Sequence, residues 1–301
     1  MKLIARHIFI AALCAMAFNG AAQTADNHNF ALKASAEFGL TNSFSMSSAI
    51  PGLTGKASET NYGLGFGWTF FRSGRHSLEA NVGVALVYSP SSVTLDLDAL
   101  DYNYTASAAA DMDGEAYQRY YELSGMSQKV SASHLTLPIY LTYAYKCTGW
   151  LNVHADAGVR LGFITGSGLD KVSGKAFSYG VYPQYDDLMI DADYMNGFGT
   201  SDLSEARHTT PESEGFNASV LVGAGAEFRI YGPLSVDLSL RYNIGLMDMY
   251  KGSYKGGAFT EDTAPVSYTV ATGQTVRPLT DYLSSSKLSQ LSLRVALIYR
   301  F

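Results

Sequence analysis

Apolar and polar residues alternate along the last segment of this chain, and the alternation predicts a β-strand. Every second residue there is apolar: Leu291, Leu293, Val295, Leu297, Tyr299 and Phe301. Residues two apart in a strand lie on the same face of a sheet, so the segment has one apolar face and one mainly polar face.

The same alternation recurs in seven earlier segments. They lie at 30–40, 62–70, 77–88, 134–145, 151–163, 216–230 and 234–244. Each has about ten or more residues, enough for a tilted strand to cross the hydrocarbon layer of a membrane. The pattern predicts an all-β fold, an eight-stranded antiparallel transmembrane β-barrel.

The connections between these segments alternate between short and long. Three are short turns, at 73–75, 146–149 and 231–233; four are long and polar, at 41–61, 89–133, 165–215 and 245–287. This asymmetry is typical of outer-membrane barrels, with short periplasmic turns and long extracellular loops. Two alternatives stay open: strands that extend above the membrane, and a ten-stranded barrel that uses 93–97 and 266–270.

Charged residues recur on the face opposite the apolar one. They are Lys33, Glu37, Glu79, Asp156, Arg160, Glu227, Arg229, Asp237, Arg241, Arg294 and Arg300. Six are cations and five are anions, so they can pair inside a barrel. The lumen of an eight-stranded barrel holds only side chains, which predicts a packed, hydrogen-bonded plug. A soluble β-sandwich is the alternative, and the loop asymmetry argues against it.

Aromatic residues stand where strands would leave a membrane. Trp68 and Trp150 lie beside short turns, and Tyr299 and Phe301 end the last strand, so we expect all four at the membrane interface. Pro138 lies in the middle of a predicted strand, where its missing N–H donor predicts a β-bulge.

The amino terminus has the order of a secretory signal peptide. Basic residues precede an apolar run at 8–18, and small residues follow up to Ala22. About eleven apolar residues are too few for a spanning helix. We expect a signal peptide at 1–22 and a barrel domain at 23–301, exported to the bacterial outer membrane as a monomer. Cys147 is then the one remaining cysteine, so no intramolecular disulfide is expected.

The amino-acid composition limits the classes of partner that the protein can bind. The net charge of -6 disfavours nucleic acid, while 29 Gly, 21 Tyr and 16% charged residues suit closely packed strands with interfacial aromatics. The loops at 89–133 and 165–215 are acidic and rich in tyrosine. They could contact an external protein or glycan, or pack a core of their own. The acidic run at 111–115 lacks the spacing of an EF-hand, and we expect neither metal nor cofactor.

Catalytic signals are weak. His134 and His208 are possible bases, and Ser131 and Ser133 lie near His134 in sequence, but no hydrolase motif surrounds them. We therefore assign no catalytic residue and expect a protein that is not an enzyme. His154 is interpreted with Asp156 as part of the plug.

The segments 135–143 and 155–163, with the terminal Tyr-Arg-Phe, resemble the PorT-like outer-membrane β-barrel domain family. The resemblance covers nearly the whole mature chain and implies the fold and an outer-membrane location. The terminal strand resembles the carboxy-terminal signature of bacterial outer-membrane barrels, which implies recognition by the barrel-assembly machinery. Three functions are considered: a surface platform, a narrow channel or small hydrophobic-ligand transporter, and a hydrolase at the barrel rim.

Overall fold

The computed structural model describes residues 28–41, 44–48, 52–95, 103–105, 109–111, 113–191, 197–254, 256, 263–269 and 273–301. The predicted signal peptide at 1–22 lies outside the described residues. Short 3-10 helices occur at Pro183–Tyr185, Leu203–Glu205 and Leu279–Tyr282. All other regular elements in the described ranges are β-strands. They are β1 Phe30–Gly39, β2 Phe44–Ser48, β3 Leu53–Ala57, β4 Thr60–Ser73, β5 His76–Leu95, β6 Asn103–Thr105, β7 Ala109–Ala110, β8 Ala116–Lys146, β9 Leu151–Tyr182, β10 Leu188–Ile190, β11 Gly199–Asp202, β12 Arg207–His208, β13 Phe216–Tyr231, β14 Leu234–Gly245, β15 Val266–Thr269, β16 Gly273–Val276, β17 Leu283–Leu288 and β18 Gln290–Arg300.

Eight strands pair antiparallel in a cycle, which we call the ring. The order is β1, β4, β5, β8, β9, β13, β14 and β18, and β18 pairs again with β1. These strands contain the eight segments that alternate in the sequence. The prediction of an all-β, antiparallel fold is therefore confirmed.

Three strands of the ring are much longer than predicted. β5, β8 and β9 continue into 89–133 and 165–215, so these parts of the two regions are strands rather than loops, and of the alternatives left open the longer strands are the one observed. β8 and β9 pair from Lys146 opposite Asn152 as far as Gln118 opposite Val181. The reason is a second hydrophobic core, because the inward face of these extensions carries buried apolar residues such as Val130 and Val172.

The second core lies where the extended strands meet the remaining connections. Its residues come from β3, the extensions of β5, β8 and β9, the connection between β9 and β13, and the connection between β14 and β18. Large members of this core that are fully or almost fully buried include Tyr121, Met126, Leu203, Met249, Tyr250, Leu279 and Tyr282. Gln128 fixes one of its segments by donating to the Arg277 carbonyl at 2.8 Å and accepting from the Leu279 N–H.

Two finer predictions are also corrected. Val266 lies in β15, which pairs with β16 in a separate small sheet, so 266–269 adds no strand to the ring. Pro138 forms no bulge, because Val82 opposite Ile139 and Ala85 opposite Thr136 keep one register across it. Instead, the hydrogen-bonded pairing between β8 and β5 is interrupted at Pro138. The interruption accommodates the N–H donor that proline lacks.

The outer surface of the ring is apolar. Large side chains there are about half exposed, among them Leu64, Phe66, Val84, Leu141, Val159 and Leu240. Trp68, Trp150 and Phe301 are exposed and Tyr299 is half-buried. An apolar surface around a whole ring far exceeds the patches that soluble monomers expose. Among the described residues, no helix has the length and hydrophobicity needed to cross a membrane.

Candidate functional site

The interior of the ring brings together the charged residues that alternate with the apolar face. Nine of the eleven are buried, and Arg229 and Arg300 are half-buried. Charged side chains are almost never this buried unless they are paired. Several of their contacts, such as Arg300 with Glu79 and Arg241 with Asp156, join strands that are not neighbours in the ring, so they cross its interior.

The first group of ion pairs centres on Arg300. Its guanidinium bonds Glu227 twice, at 2.7 and 3.1 Å, and Glu79 at 2.8 Å. Lys33 pairs with the other oxygen of Glu79. Arg300 and Glu79 lie on strands separated by β1 and β4, so this group ties opposite parts of the wall together.

A second group contains two aspartates, each with an arginine. Arg241 bonds Asp156 at 2.7 Å, and Arg294 bonds Asp237 at 2.8 Å. His154 joins the two pairs, since one ring nitrogen bonds Asp237 and the other lies 3.3 Å from Asp156. The interpretation of His154 as an interior residue matches this position.

A third group lies toward the second core. Arg160 bonds Glu59 at 2.6 Å, and Ser89 donates to the same carboxylate at 3.3 Å. Glu37 accepts from Asn243 at 2.8 Å and from Ser292. The sequence does not reveal Glu59, because it lies between β3 and β4, outside the alternating segments.

Tyr140 lies among all these charges and was also missed. The Arg241 guanidinium lies 4.5 Å from the centre of its ring, and the Lys33 ammonium 5.9 Å. Both distances are in the range of cation–π contacts. Gly158 on β9 lies opposite Tyr140. An aromatic residue at an inward position, paired with a glycine, is the sequence feature that could have identified Tyr140.

The described residues line a larger and a smaller cavity in the interior. The larger, about 290 Å³, opens at the end with the short turns and reaches Asp156 and Arg294. The smaller, about 30 Å³, lies deeper, against Pro138 and Arg160. Both are lined by Lys33, Tyr140 and Arg294, so these three side chains stand between them.

Two carboxylates of the acidic run at 111–115, those of Asp111 and Glu115, accept hydrogen bonds from the protein itself. Asp111 accepts from the N–H groups of Asp113 and Glu115, at 3.0 and 2.8 Å, and Tyr185 donates to Glu115. Across the part of the chain that the structure describes, no three His, Cys, Asp or Glu residues are placed to hold a metal ion.

The loop tyrosines divide between two environments. Tyr117 and Tyr182 stack in a small buried cluster with Phe198, whereas Tyr185 is half exposed. Tyr102 and Tyr194 lie outside the described residues. Part of the tyrosine-rich sequence therefore packs a core of its own, one of the two uses considered for it.

The histidines and serines considered for catalysis are not brought together. His134 is buried, and its Nε2 has no hydrogen-bond partner among the described residues. Ser131 donates instead to Asp170 at 2.9 Å, and His208 is exposed in β12.

Comparison with known proteins places this arrangement in a family. The family described as "Outer membrane protein beta-barrel domain" matches residues 21–251. No curated protein matches the chain.

Among solved structures, OprG from Pseudomonas aeruginosa is 10% identical to this chain, with a TM-score of 0.37. The match covers 93% of this chain and 98% of OprG. Ail of Yersinia pestis is 8% identical, with a TM-score of 0.29 and coverages of 91% and 97%. An outer membrane channel from Pseudomonas putida F1 is 6% identical, with a TM-score of 0.27 and coverages of 94% and 98%. The chain belongs to the outer membrane protein β-barrel domain family and is located in the bacterial outer membrane.

Proposed function

We propose that the chain is an eight-stranded transmembrane barrel, closed by the pairing of β8 with β9, with a plugged lumen. It serves as a monomeric membrane platform that presents its extended strands and loops at the cell surface. The turns at 73–75, 146–149 and 231–233 face the periplasm in this proposal. The narrower PorT-like assignment, the signal peptide and the role of the barrel-assembly machinery stay predictions.

The ion-pair groups of the interior carry this proposal. They link β5, β9, β13, β14 and β18 with distances of 2.6 to 3.1 Å, and Lys33 adds β1 through its pair with Glu79. The second core closes the other end with fully buried side chains such as Tyr250 and Leu279. Two barriers in series leave no wide path, so a surface role is favoured over transport.

The surface role rests on the end of the β8–β9 extension. Tyr185, Leu188 and Met189 are about half exposed there, beside Asp186 and Asp187 in left-handed conformations. Exposed aromatic and apolar side chains on a rigid support suit contact with an external protein or glycan. No catalytic step is part of the proposal.

Planar-bilayer conductance tests the plug. Residues 23–301 are refolded in lipid, and boiled and unboiled gel mobility is compared on the same sample. We expect a heat-modifiable barrel without steady conductance. Steady, discrete conductance from such a barrel would reject the plug and make transport the leading function.

A narrow channel is the alternative that the larger cavity favours. Its lining contains seven Lys or Arg residues and four carboxylates, an excess of three positive charges. A channel through it would therefore prefer anions, which reversal potentials in a salt gradient measure. The other form of this alternative, a small hydrophobic ligand that passes through the wall, would use the interrupted ladder at Pro138.

The remaining alternative, a rim hydrolase, is tested by His134→Ala. Loss of a hydrolytic activity in this variant, with gel mobility retained, would support the enzyme. The platform is tested separately with glycan and matrix-protein arrays. The variant Tyr185→Ala/Leu188→Ser should lose binding to any array component that the wild-type barrel binds.

A further inference from the structure

Four neighbouring strands place three lysines side by side on the outer face of the extended sheet. Lys56 on β3 pairs with Ser92 on β5, Ser92 pairs with Lys129 on β8, and Lys129 pairs with Lys171 on β9. All four side chains are exposed. Residues next to them point inward and are buried: Ala57, Val93, Val130 and Val172. We call Lys56, Lys129 and Lys171 the lysine row.

Among the described residues, no ion pair balances the charges of the lysine row. Neighbouring strands are about 4.8 Å apart, so Lys129 and Lys171 are about 5 Å apart at the backbone and Lys56 about 10 Å from Lys129. Like charges directly opposite each other destabilise a sheet. Within the described part of the chain, no carboxylate lies within 4 Å of these ammonium groups. The acidic neighbour of Lys171, Asp170, accepts from Ser131 at 2.9 Å.

A second row of polar side chains lies directly above the lysine row. Thr54 pairs with Thr94, Thr94 with Ser127, and Ser127 with Ser173. The hydroxyls of Thr94 and Ser127 are 3.2 Å apart. Together the two rows form a surface with cations below and hydroxyl groups above.

The distance of the lysine row from the apolar surface of the ring can be estimated along β5. Tyr88 is the last large apolar side chain exposed on this strand before Ser92. Four residues span about 13 Å along a strand, or about 10 Å along the membrane normal at the tilt of a small barrel. The lysine row therefore lies above the acyl chains, at the level of headgroups and sugars.

We propose that the lysine row binds phosphate groups of a phosphorylated glycolipid in the outer leaflet, with the hydroxyl row against its sugars. This inference rests on the proposed function, because it needs the extended strands to face outward. Ammonium groups bind phosphate as point charges. Bound phosphates would also remove the repulsion between Lys129 and Lys171, so the lipid stabilises the sheet that binds it.

The test uses refolded protein in neutral detergent, titrated with purified bis-phosphorylated lipid A, with the same lipid after dephosphorylation, and with phosphatidylglycerol. We expect lipid A to bind and the dephosphorylated form to bind at least tenfold more weakly. Lys129→Gln/Lys171→Gln should weaken lipid A binding at least tenfold. Arg207→Gln/Lys251→Gln removes the same charge from exposed positions elsewhere and should change binding less than twofold.

Three results would contradict parts of this proposal. Equal binding by both double variants, or equal binding of dephosphorylated lipid A, would overturn the proposal. Tighter binding of phosphatidylglycerol than of lipid A would overturn the choice of a glycolipid. Heat-modifiable gel mobility is measured on every sample, so that failure of the barrel itself is distinguished from failure of the lysine row.

Discussion

At the scale of single residues, Arg241 shows how the interior depends on complete pairing. Its guanidinium bonds Asp156 at 2.7 Å and lies over Tyr140 at 4.5 Å. Arg241→Ala should lower the free energy of unfolding by about 3–5 kcal/mol, because Asp156 then stays buried without its arginine. Urea unfolding in lipid vesicles measures the change.

Two controls accompany this variant. Lys251 lies 4.0 Å from Glu212 in an exposed pair, so Lys251→Ala should cost less than about 1 kcal/mol. Arg241→Met/Asp156→Leu removes both charges and should recover much of the stability. An effect of Lys251→Ala as large as that of Arg241→Ala would contradict the role of burial.

Asp281 gives the second core a dependence on pH. Burial raises the pKa of Asp281 to about 6; Arg277 opposes this shift and Glu212 adds to it. A pKa raised in the folded state means that the folded protein binds the proton more tightly. The stabilisation is therefore complete below the unfolded pKa and is lost as pH rises through about 6.

Proteolysis of the connection between β14 and β18 measures this dependence. In the wild-type protein, we expect slower cleavage at pH 4.5 than at pH 7.5, measured with a protease calibrated at both. Asp281→Asn should make the two rates nearly equal, since the amide does not titrate. An unchanged pH dependence in this variant would assign the effect to another group.

At the scale of strands, Gly158 decides whether β8 and β9 can pair around Tyr140. A Cβ atom at Gly158 would lie 2.2 Å from the Ile139 carbonyl oxygen and 2.5 Å from the Tyr140 backbone. Gly158→Ala should therefore destabilise the barrel by about 1–3 kcal/mol, the cost of overpacking. Gly166→Ala on the same strand meets nothing within 4 Å and should be nearly neutral. Folded fractions on unboiled gels compare the two variants.

The same strands show what the sequence can predict. The ring segments were predictable because each alternates a lipid-facing apolar residue with an inward residue. The extensions of β8 and β9 were not, because their outward residues, such as Lys129 and Lys171, are polar and do not continue the alternation. Glu59 and Gln128 were missed because their importance depends on contacts far away in sequence, with Arg160 and with residues 277–279.

At the scale of the whole molecule, the proposed plug consists of two barriers in series, the ion-pair groups and the second core. Tyr140 borders both described cavities, together with Lys33 and Arg294. The connection from β14 to β18 supplies much of the second core, including Met249, Leu279 and Tyr282. Because β14 and β18 pair directly, a short turn could replace 246–288 without separating these strands.

This arrangement predicts that neither change opens the barrel alone. Tyr140→Ala should remain without steady conductance because the second core still closes the upper end. Replacement of 246–288 by a four-residue turn should also remain closed, because the ion pairs around Arg241 and Arg300 persist. The combined variant should conduct, with a preference for anions set by the positive lining of the larger cavity. All three are compared in planar bilayers at equal heat-modifiable fraction. Conductance from either single variant would show that one barrier, rather than two, closes this barrel.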